Sequence, residues 1–224
     1  MNHRELREEV ARVAKQMIAS GLVTGTSGNV SARTPEGEVL MTPSGLDYGE
    51  LEPGDVVLVD VDGRTLEGAL EPSTETPMHT GIYRARPEVG AVVHTHSVFA
   101  TTLACLGWPI PPVHYMLTSL AEDARIPLAP YTTYGSEQLA VYAAEALGEN
   151  RNACLLQNHG TITVGDSPEA AFSRTVVLEE MAEVYYRTRV AGEPVLLSPE
   201  QIENVAAKIS GYGQTKPAST DGQG

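Results

Sequence analysis

Three histidines and one glutamate stand where their side chains could share a metal ion. His94 and His96 lie two residues apart in an apolar run that predicts a strand, and residues at i and i+2 of a strand face the same side. His159 ends a second predicted strand, and Glu75 stands in a polar loop before a predicted helix. Three imidazole nitrogens and a carboxylate oxygen suit a divalent ion. We therefore expect one such ion per chain, Zn²⁺ first and Mn²⁺ as the alternative.

A His-x-His pair alone is weak support for a metal site, because such pairs are more often surface or core histidines. Two rival metal-binding patterns also fit poorly here. A metallo-hydrolase of the HxHxD kind needs aspartate at the position of Val98, and a cupin needs a carboxylate where Phe99, Ala100 and Thr101 stand. His79 lies inside a predicted helix, where we expect a packing or capping residue. The third, strand-ending histidine is what raises the metal hypothesis above the alternatives.

Three loops rich in glycine and hydroxyl side chains could bind an anion. They lie at residues 25–29, 43–45 and 73–74. Glycine leaves backbone N–H groups accessible, and such nests bind phosphate through hydrogen bonds without lysine or arginine. Each loop alone is more often a simple turn. Only their joint occurrence beside the metal candidates indicates a site.

The elements that must position these residues alternate irregularly between helix and strand. A hairpin at residues 30–41 argues against an all-parallel, doubly wound sheet. We predict one α/β domain over residues 1–213, with a mainly antiparallel central sheet flanked by helices on both faces, and a polar, disordered tail over 214–224. Strands are predicted at 56–61, 90–96, 153–159 and 161–164. Helices are predicted at 6–18, 76–86, 137–147, 168–190 and from 199, with a further short helix that ends at 106.

Composition excludes several classes of protein. The 224 residues carry a formal net charge of −14, and without a cluster of basic residues a nucleic-acid partner is not expected. No apolar run approaches the roughly 18 residues of a membrane span, and the N-terminus lacks the apolar stretch of a secretory signal. We expect a cytoplasmic protein that binds neither nucleic acid nor membrane. Cys105 and Cys154 are expected to be buried, reduced thiols.

Five motifs in a fixed order resemble the class II aldolase family, which also holds sugar-phosphate 4-epimerases and a thio-sugar dehydratase. The resemblance covers about residues 6–213. Within the family, Glu75 is typical of fuculose-phosphate aldolases, because the epimerases carry aspartate at that position. Two departures are Tyr134, where aldolases often have phenylalanine, and Thr76-Pro77, which is similar to the epimerases. The motifs are residues 25–31, 42–45, 72–75, 92–96 and 157–160.

The resemblance implies a metal-dependent aldolase, a carbon–carbon lyase. Such an enzyme reversibly cleaves a small ketose 1-phosphate, of the fuculose 1-phosphate or 5-deoxy-pentulose 1-phosphate type, to dihydroxyacetone phosphate and an aldehyde such as lactaldehyde. Its partners are therefore the phosphorylated ketose, or dihydroxyacetone phosphate plus the aldehyde. A 4-epimerase or dehydratase of the same family is the alternative enzyme. A non-catalytic protein that binds metal or sugar phosphate is the alternative of another class.

The resemblance also implies roles for individual residues. His94, His96 and His159 would hold the ion, with Glu75 as the fourth ligand at rest and as the acid/base once substrate displaces it. The ion would act as a Lewis acid on the enediolate of dihydroxyacetone phosphate. Contacts to the substrate, chiefly its phosphate, would come from Thr26, Gly28, Asn29, Ser44, Gly45, Ser73 and Thr74.

Two tyrosines complete the implied site. Tyr115 would act as proton donor at the aldehyde oxygen, across a subunit boundary, in a homotetramer. Tyr212 matches a C-terminal tyrosine with a similar implied role, as a flap over the aldehyde end of the pocket. For both, the alternative is a packed aromatic ring with a satisfied hydroxyl. Whether Tyr134 or Tyr212 shapes the aldehyde pocket is left open by the sequence.

Overall fold

An eight-stranded sheet runs through the part of the chain, residues 2–209, that the computed structural model describes. Its strand order is β4-β3-β2-β1-β5-β8-β7-β6, and every pairing is antiparallel except β6 with β7. The predicted, mainly antiparallel α/β fold is confirmed. The strands are β1 (Asn29–Arg33), β2 (Val39–Met41), β3 (Val57–Val59), β4 (Thr65–Glu67), β5 (Ala91–Thr95), β6 (Leu128–Ala129), β7 (Ala153–Leu156) and β8 (Gly160–Gly165).

Helices cover both faces of this sheet, as the sequence predicts. They are α1 (Arg4–Ala19), α2 (Thr76–Ala85), α3 (Val98–Leu106), α4 (Glu137–Leu147), α5 (Pro168–Ala191) and α6 (Pro199–Ile209). Core side chains of α1, α3 and α5 pack on one face, and those of α2 and α4 pack on the other. Within residues 2–209, no helix is long and apolar enough to span a membrane.

Serine caps set where three of the helices begin. The Ser136 hydroxyl accepts from the Leu139 N–H at the start of α4, and Ser167 accepts from Ala170 at the start of α5. Such caps satisfy backbone N–H groups that have no partner inside the helix. A capping box opens α6, since Ser198 and Gln201 each bond the other's backbone N–H.

Two expectations about single elements are wrong. The strand predicted at 56–61 is shorter, and β4 follows it unpredicted, because its exposed Thr-Leu-Glu sequence lies at the sheet edge and lacks an apolar pattern. Cys105 is exposed rather than buried. Helix α3 turns Ala100, Leu103 and Ala104 towards the core, which leaves Cys105 outside. Cys154 is buried, as expected.

The predicted tail at 214–224 and Tyr212 lie outside the described residues. The domain boundary at residue 213 therefore stays a prediction.

Candidate active site

The end of strand β5 carries the centre of the predicted metal cluster. His94 pairs with Asn29 on β1 and with Ile162 on β8, so it lies in the middle of the sheet and is fully buried. His96 follows directly after the strand ends, on the same side as His94. Glu75 is the residue immediately before helix α2. The sheet thus fixes two of the four side chains through its backbone hydrogen bonds.

The structure brings all four predicted ligands together. The Nε2 atoms of His94 and His96 are 2.9 Å apart, and His94 Nε2 is 3.0 Å from a Glu75 oxygen. His159, in the turn between β7 and β8, places its Nε2 3.2 Å from the other Glu75 oxygen. One ligand atom from each residue lies within 4.8 Å of all the others. This arrangement could hold one ion.

Hydrogen bonding around the cluster fits a cation. His94 Nδ1 lies 2.9 Å from the Thr161 carbonyl oxygen, and a carbonyl only accepts, so the proton of a neutral ring is on Nδ1. The Nε2 lone pair then points at His96 and Glu75. The buried Glu75 Oε1 has no hydrogen-bond donor within the described residues, which is costly unless a charge compensates. Converging lone pairs and an unsatisfied carboxylate oxygen are what a divalent ion would satisfy.

Local electrostatics prepare two of the ligands for metal binding. Burial lowers the pKa of His96 to about 4, and the nearby His94 and His159 act in the same direction. Burial alone raises the pKa of Glu75, but attraction to the His94 and His159 rings outweighs it and holds that pKa well below its usual range. At neutral pH, His96 is therefore neutral and Glu75 is ionised, the forms that ligate metals.

A pocket of about 430 Å³ opens over the cluster. The three polar loops, which are far apart in sequence, form its walls together. Among its lining residues in the described chain there is no lysine or arginine, so an anion inside would meet neutral donors only. All seven predicted substrate-binding residues line it, namely Thr26, Gly28, Asn29, Ser44, Gly45, Ser73 and Thr74.

Two glycines allow the backbone to approach the histidines closely. Gly28 has a φ of +78°, and a Cβ there would lie 2.8 Å from the His94 carbonyl oxygen. At Gly160, a Cβ would lie 2.4 Å from the Thr95 carbonyl oxygen and 2.7 Å from a ring carbon of His96. Any larger residue would displace the sheet or the ligand rings. These contacts explain why glycine follows His159, which lies in the turn after β7 and not at the end of a strand, as the sequence predicts.

Three residues that line the pocket, Tyr48, Asn158 and Tyr131, were not singled out from the sequence. Tyr48 is buried, and its hydroxyl donates to the Gly28 carbonyl oxygen at 2.6 Å, which supports the first polar loop from below. Asn158, with a φ of 54°, lines the pocket beside His159. Tyr131 and Tyr134 lie at its mouth. No local motif marks Tyr48, whereas the resemblance already noted the segment around Tyr134.

Tyr115 does not line this pocket. It begins a short 3₁₀ turn, Tyr115–Ser119, half of its surface is exposed, and its ring packs against His114 with centroids 4.6 Å apart. The structure of one chain therefore does not bring Tyr115 to the cluster. Tyr212 lies outside the described residues.

Comparison with known proteins decides the family. Residues 8–186 match the family described as "Class II Aldolase and Adducin N-terminal domain". The chain belongs to the class II aldolase family. Class II aldolases are metal-dependent, and the cluster of Glu75 and three histidines could bind the ion.

Curated relatives match this class II aldolase over almost their whole length. The 5-deoxy-D-ribulose 1-phosphate aldolase of Bacillus thuringiensis serovar kurstaki is 44% identical over 209 residues, which are 93% of this chain and 97% of the relative. The L-fuculose phosphate aldolase of Escherichia coli strain K12 is 38% identical over 214 residues, which are 95% of this chain and 98% of the relative. The predicted family and enzyme class, a carbon–carbon lyase, are confirmed by these matches.

A solved structure of an L-fuculose 1-phosphate aldolase shares this fold. It superimposes with a TM-score of 0.89 at 35% identity, over 94% of this chain and 98% of that chain. The prediction of the fold class rested on hairpins and periodicity, and the match confirms it.

Proposed function

We propose that this protein is a divalent-metal-dependent aldolase that reversibly cleaves a small ketose 1-phosphate to dihydroxyacetone phosphate and a short aldehyde. The observation that carries the proposal is the position of the cluster. Glu75, His96 and His159 form the floor of a pocket whose walls are the three donor-rich loops. The floor suits the reacting carbons, and the walls suit the phosphate. The named activities of the curated relatives support the same reaction class.

Carbon counting links the substrate to the aldehyde. Cleavage between C3 and C4 always releases the three carbons of dihydroxyacetone phosphate. A five-carbon 5-deoxy-pentulose 1-phosphate then leaves acetaldehyde, whereas a six-carbon ketose of the fuculose type leaves lactaldehyde. The lactaldehyde expected from the sequence therefore belongs only to the six-carbon substrate. We favour the five-carbon substrate, because the relative with 44% identity is named for it.

The proposed ligands are His94, His96 and His159, with Glu75 as the fourth when no substrate is present, and Zn²⁺ is the proposed ion. When bound, the ion would supply Lewis-acid stabilisation of the negative charge that develops on the substrate oxygens. Glu75 then carries the proton. In condensation the ionised Glu75 takes a proton from C3 of dihydroxyacetone phosphate, C3 bonds to the aldehyde carbon, and the aldehyde oxygen takes a proton from a donor group as it becomes the C4 hydroxyl. Cleavage is the reverse: the donor group takes back the C4 hydroxyl proton, and the protonated Glu75 returns its proton to C3.

Neutral donors would hold the phosphate in this acidic protein. Ser44, Ser73, Thr74, Asn29 and the glycine loops, which carry hydroxyl, amide and backbone N–H donors, all line one pocket. Fixed N–H and O–H dipoles bind phosphate without a counter-charge. The net charge of −14 is therefore compatible with an anionic substrate.

The resemblance assigns the proton at the aldehyde oxygen to Tyr115, which does not line the pocket of its own chain. Tyr115 is half exposed and lies elsewhere on the surface. We propose that a homotetramer brings Tyr115 of one subunit to the pocket of the next, and that Tyr212 has a similar role.

The domain limits at residue 213 and the cytoplasmic location also stay proposals.

Product analysis tests the proposed function. The metal-loaded protein is incubated with dihydroxyacetone phosphate and a panel of aldehydes, and the products are identified by NMR. We expect ketose 1-phosphates from acetaldehyde and lactaldehyde, and no product after chelation of the metal. Interconversion of pentulose-phosphate epimers without release of aldehyde would favour a 4-epimerase. Metal-loaded protein that forms no carbon–carbon bond with any aldehyde would favour a non-catalytic binding protein.

A further inference from the structure

Four buried polar side chains form a continuous hydrogen-bonded chain that ends at Glu75. The Tyr83 hydroxyl is 2.8 Å from Ser31 Oγ, and Ser31 Oγ is 2.7 Å from His79 Nδ1. His79 Nε2 is 2.5 Å from Asn29 Oδ1, and Asn29 Nδ2 is 3.0 Å from Glu75 Oε2. The four side chains are 0–4% exposed. His79 is thus more than the packing residue that the sequence suggests.

Chemistry fixes the direction of every bond in this chain. The Glu75 carboxylate only accepts, so the Asn29 amide nitrogen faces it and the Asn29 oxygen faces His79. That oxygen also only accepts, so His79 Nε2 carries the proton. Nδ1 of the neutral ring then accepts from the Ser31 hydroxyl, and Ser31 accepts from Tyr83. All four bonds therefore donate towards Glu75.

Burial keeps both titratable members of the chain in the required state. Burial lowers the pKa of His79 to about 3, so the ring is neutral at physiological pH. Burial also raises the pKa of the Tyr83 hydroxyl well above its usual range, so that hydroxyl keeps its proton. At physiological pH, His79 and Tyr83 therefore both keep the protonation state that the hydrogen-bond directions require.

These hydrogen bonds select one of the two possible orientations of the Asn29 amide. If the amide turned by half a rotation, its oxygen would face the Glu75 carboxylate and its nitrogen would face the N–H of His79. Both contacts would then be repulsive in a buried site, where an unpaired polar group is costly. Asn29 also lines the pocket beside the glycine loop. The orientation of this amide therefore decides whether Glu75 contacts an N–H donor or a carbonyl oxygen, and likewise which group faces the substrate pocket.

We propose that His79 is a positioning residue for the aldolase reaction. Through Asn29, with Ser31 and Tyr83 fixing its tautomer, it holds the Glu75 carboxylate in place and keeps the amide N–H groups directed at Glu75 and at the pocket. The role rests on the proposed function, because it acts on the residue that moves the proton. It predicts that His79 affects proton transfer without touching substrate or metal.

Hydrogen exchange into dihydroxyacetone phosphate is the appropriate assay, because it needs proton transfer but no aldehyde. In the metal-loaded protein, His79→Leu removes the donor and keeps much of the volume. We expect the exchange rate to fall about 10–100-fold, the usual effect of losing an outer partner of a site. His79→Gln should restore most of it, since a glutamine amide N–H can reach the position of Nε2. As a control, Thr175→Val removes a buried hydroxyl on the other face of the sheet and should leave the rate unchanged.

A double-mutant cycle separates positioning from a general structural role. If His79 acts only through Asn29, then His79→Leu in an Asn29→Ala background should change the exchange rate less than about twofold. Fold-changes that multiply across the two sites would overturn the proposal, as would an unchanged rate in His79→Leu alone. If that variant does not fold, Ser31→Ala enters the same cycle with the same criterion. Wild-type protein that binds metal but exchanges no hydrogen would instead refute the proposed function.

Discussion

The floor and the mouth of the pocket are built in opposite ways. Directly beneath the floor, His94 is fully buried and fixed by the end of a central strand, and on the floor Glu75 is only 7% exposed. At the mouth, Tyr131 and Tyr134 are 59% and 65% exposed and lie in a loop. Backbone pairing in the sheet fixes the position of the floor, whereas the exposed loop at the mouth has few such contacts within one chain. We propose from this contrast that the reaction chemistry takes place on the floor and that the mouth, together with a neighbouring subunit, selects the aldehyde.

The largest effect is expected from removing a ligand on the floor. His96→Ala should lower the metal content per chain severely and abolish aldol cleavage, because three ligands give a much weaker site. Metal analysis after dialysis, together with the cleavage rate, measures both effects. His3→Ala, which removes a histidine near the surface and far from the cluster, should change neither. Full metal content in His96→Ala would break the assignment of the floor.

A subunit-mixing experiment tests whether the mouth is shared between chains. Glu75→Gln and Tyr115→Phe should each lower cleavage strongly, by roughly 10²-fold or more for the lost acid/base. If Tyr115 serves a neighbouring pocket, co-refolded mixtures of the two variants should regain activity, because some pockets then combine a normal Glu75 with a normal Tyr115. Mixtures no more active than the separate variants would contradict sharing of the site.

The buried His79, in the hydrogen-bonded chain that ends at Glu75, should make the free energy of unfolding depend on pH. Burial lowers the pKa of His79 from 6.5 to about 3, so between these values the unfolded chain binds a proton that the folded chain does not. Stability is therefore lost as pH falls from 6.5, by up to about 1.4 kcal/mol per pH unit from this group.

Urea unfolding of metal-free protein at pH 7 and pH 5.5 measures this slope. His79→Gln should show a shallower loss of stability than wild type between the two pH values, because glutamine does not titrate. Thr175→Val should keep the wild-type slope. Equal slopes in wild type and His79→Gln would show that His79 does not titrate as its burial requires.

The smallest effect is expected at the mouth. Tyr134→Phe removes one exposed hydroxyl, and a single hydrogen bond is worth about 1 kcal/mol, or roughly fivefold in rate. We expect a change of that size in kcat/KM for the aldehyde, with metal content and hydrogen exchange unaltered. Loss of hydrogen exchange in Tyr134→Phe would contradict the division between floor and mouth.

The same contrast explains how far the sequence could be interpreted. His94 and His96 could be identified as a pair from the sequence, because strand periodicity dictates their common direction. Tyr48 gave no such signal, because its role arises from a long-range contact with the Gly28 backbone.

His79 was expected to be a packing or capping residue, since the helical pattern around it does not reveal which polar atoms contact it in the core. Tyr115 could be linked to the site only by resemblance, because a single chain does not place it there. Local sequence patterns thus predicted most elements and the metal ligands. The residues around the ligands could not be predicted, because contacts between distant segments place them there.

Proton transfer by Glu75 is the central claim, and hydrogen exchange in D₂O tests it most directly. Metal-loaded wild type and Glu75→Gln are each incubated with dihydroxyacetone phosphate, and loss of one C3 proton signal is followed by NMR. Three histidines remain in the variant, so it should retain bound metal when this is supplied in excess. We predict stereospecific exchange of one hydrogen by wild type, and a rate at least about 10²-fold lower in the variant. Equal exchange by both proteins, with metal bound in both, would contradict the account.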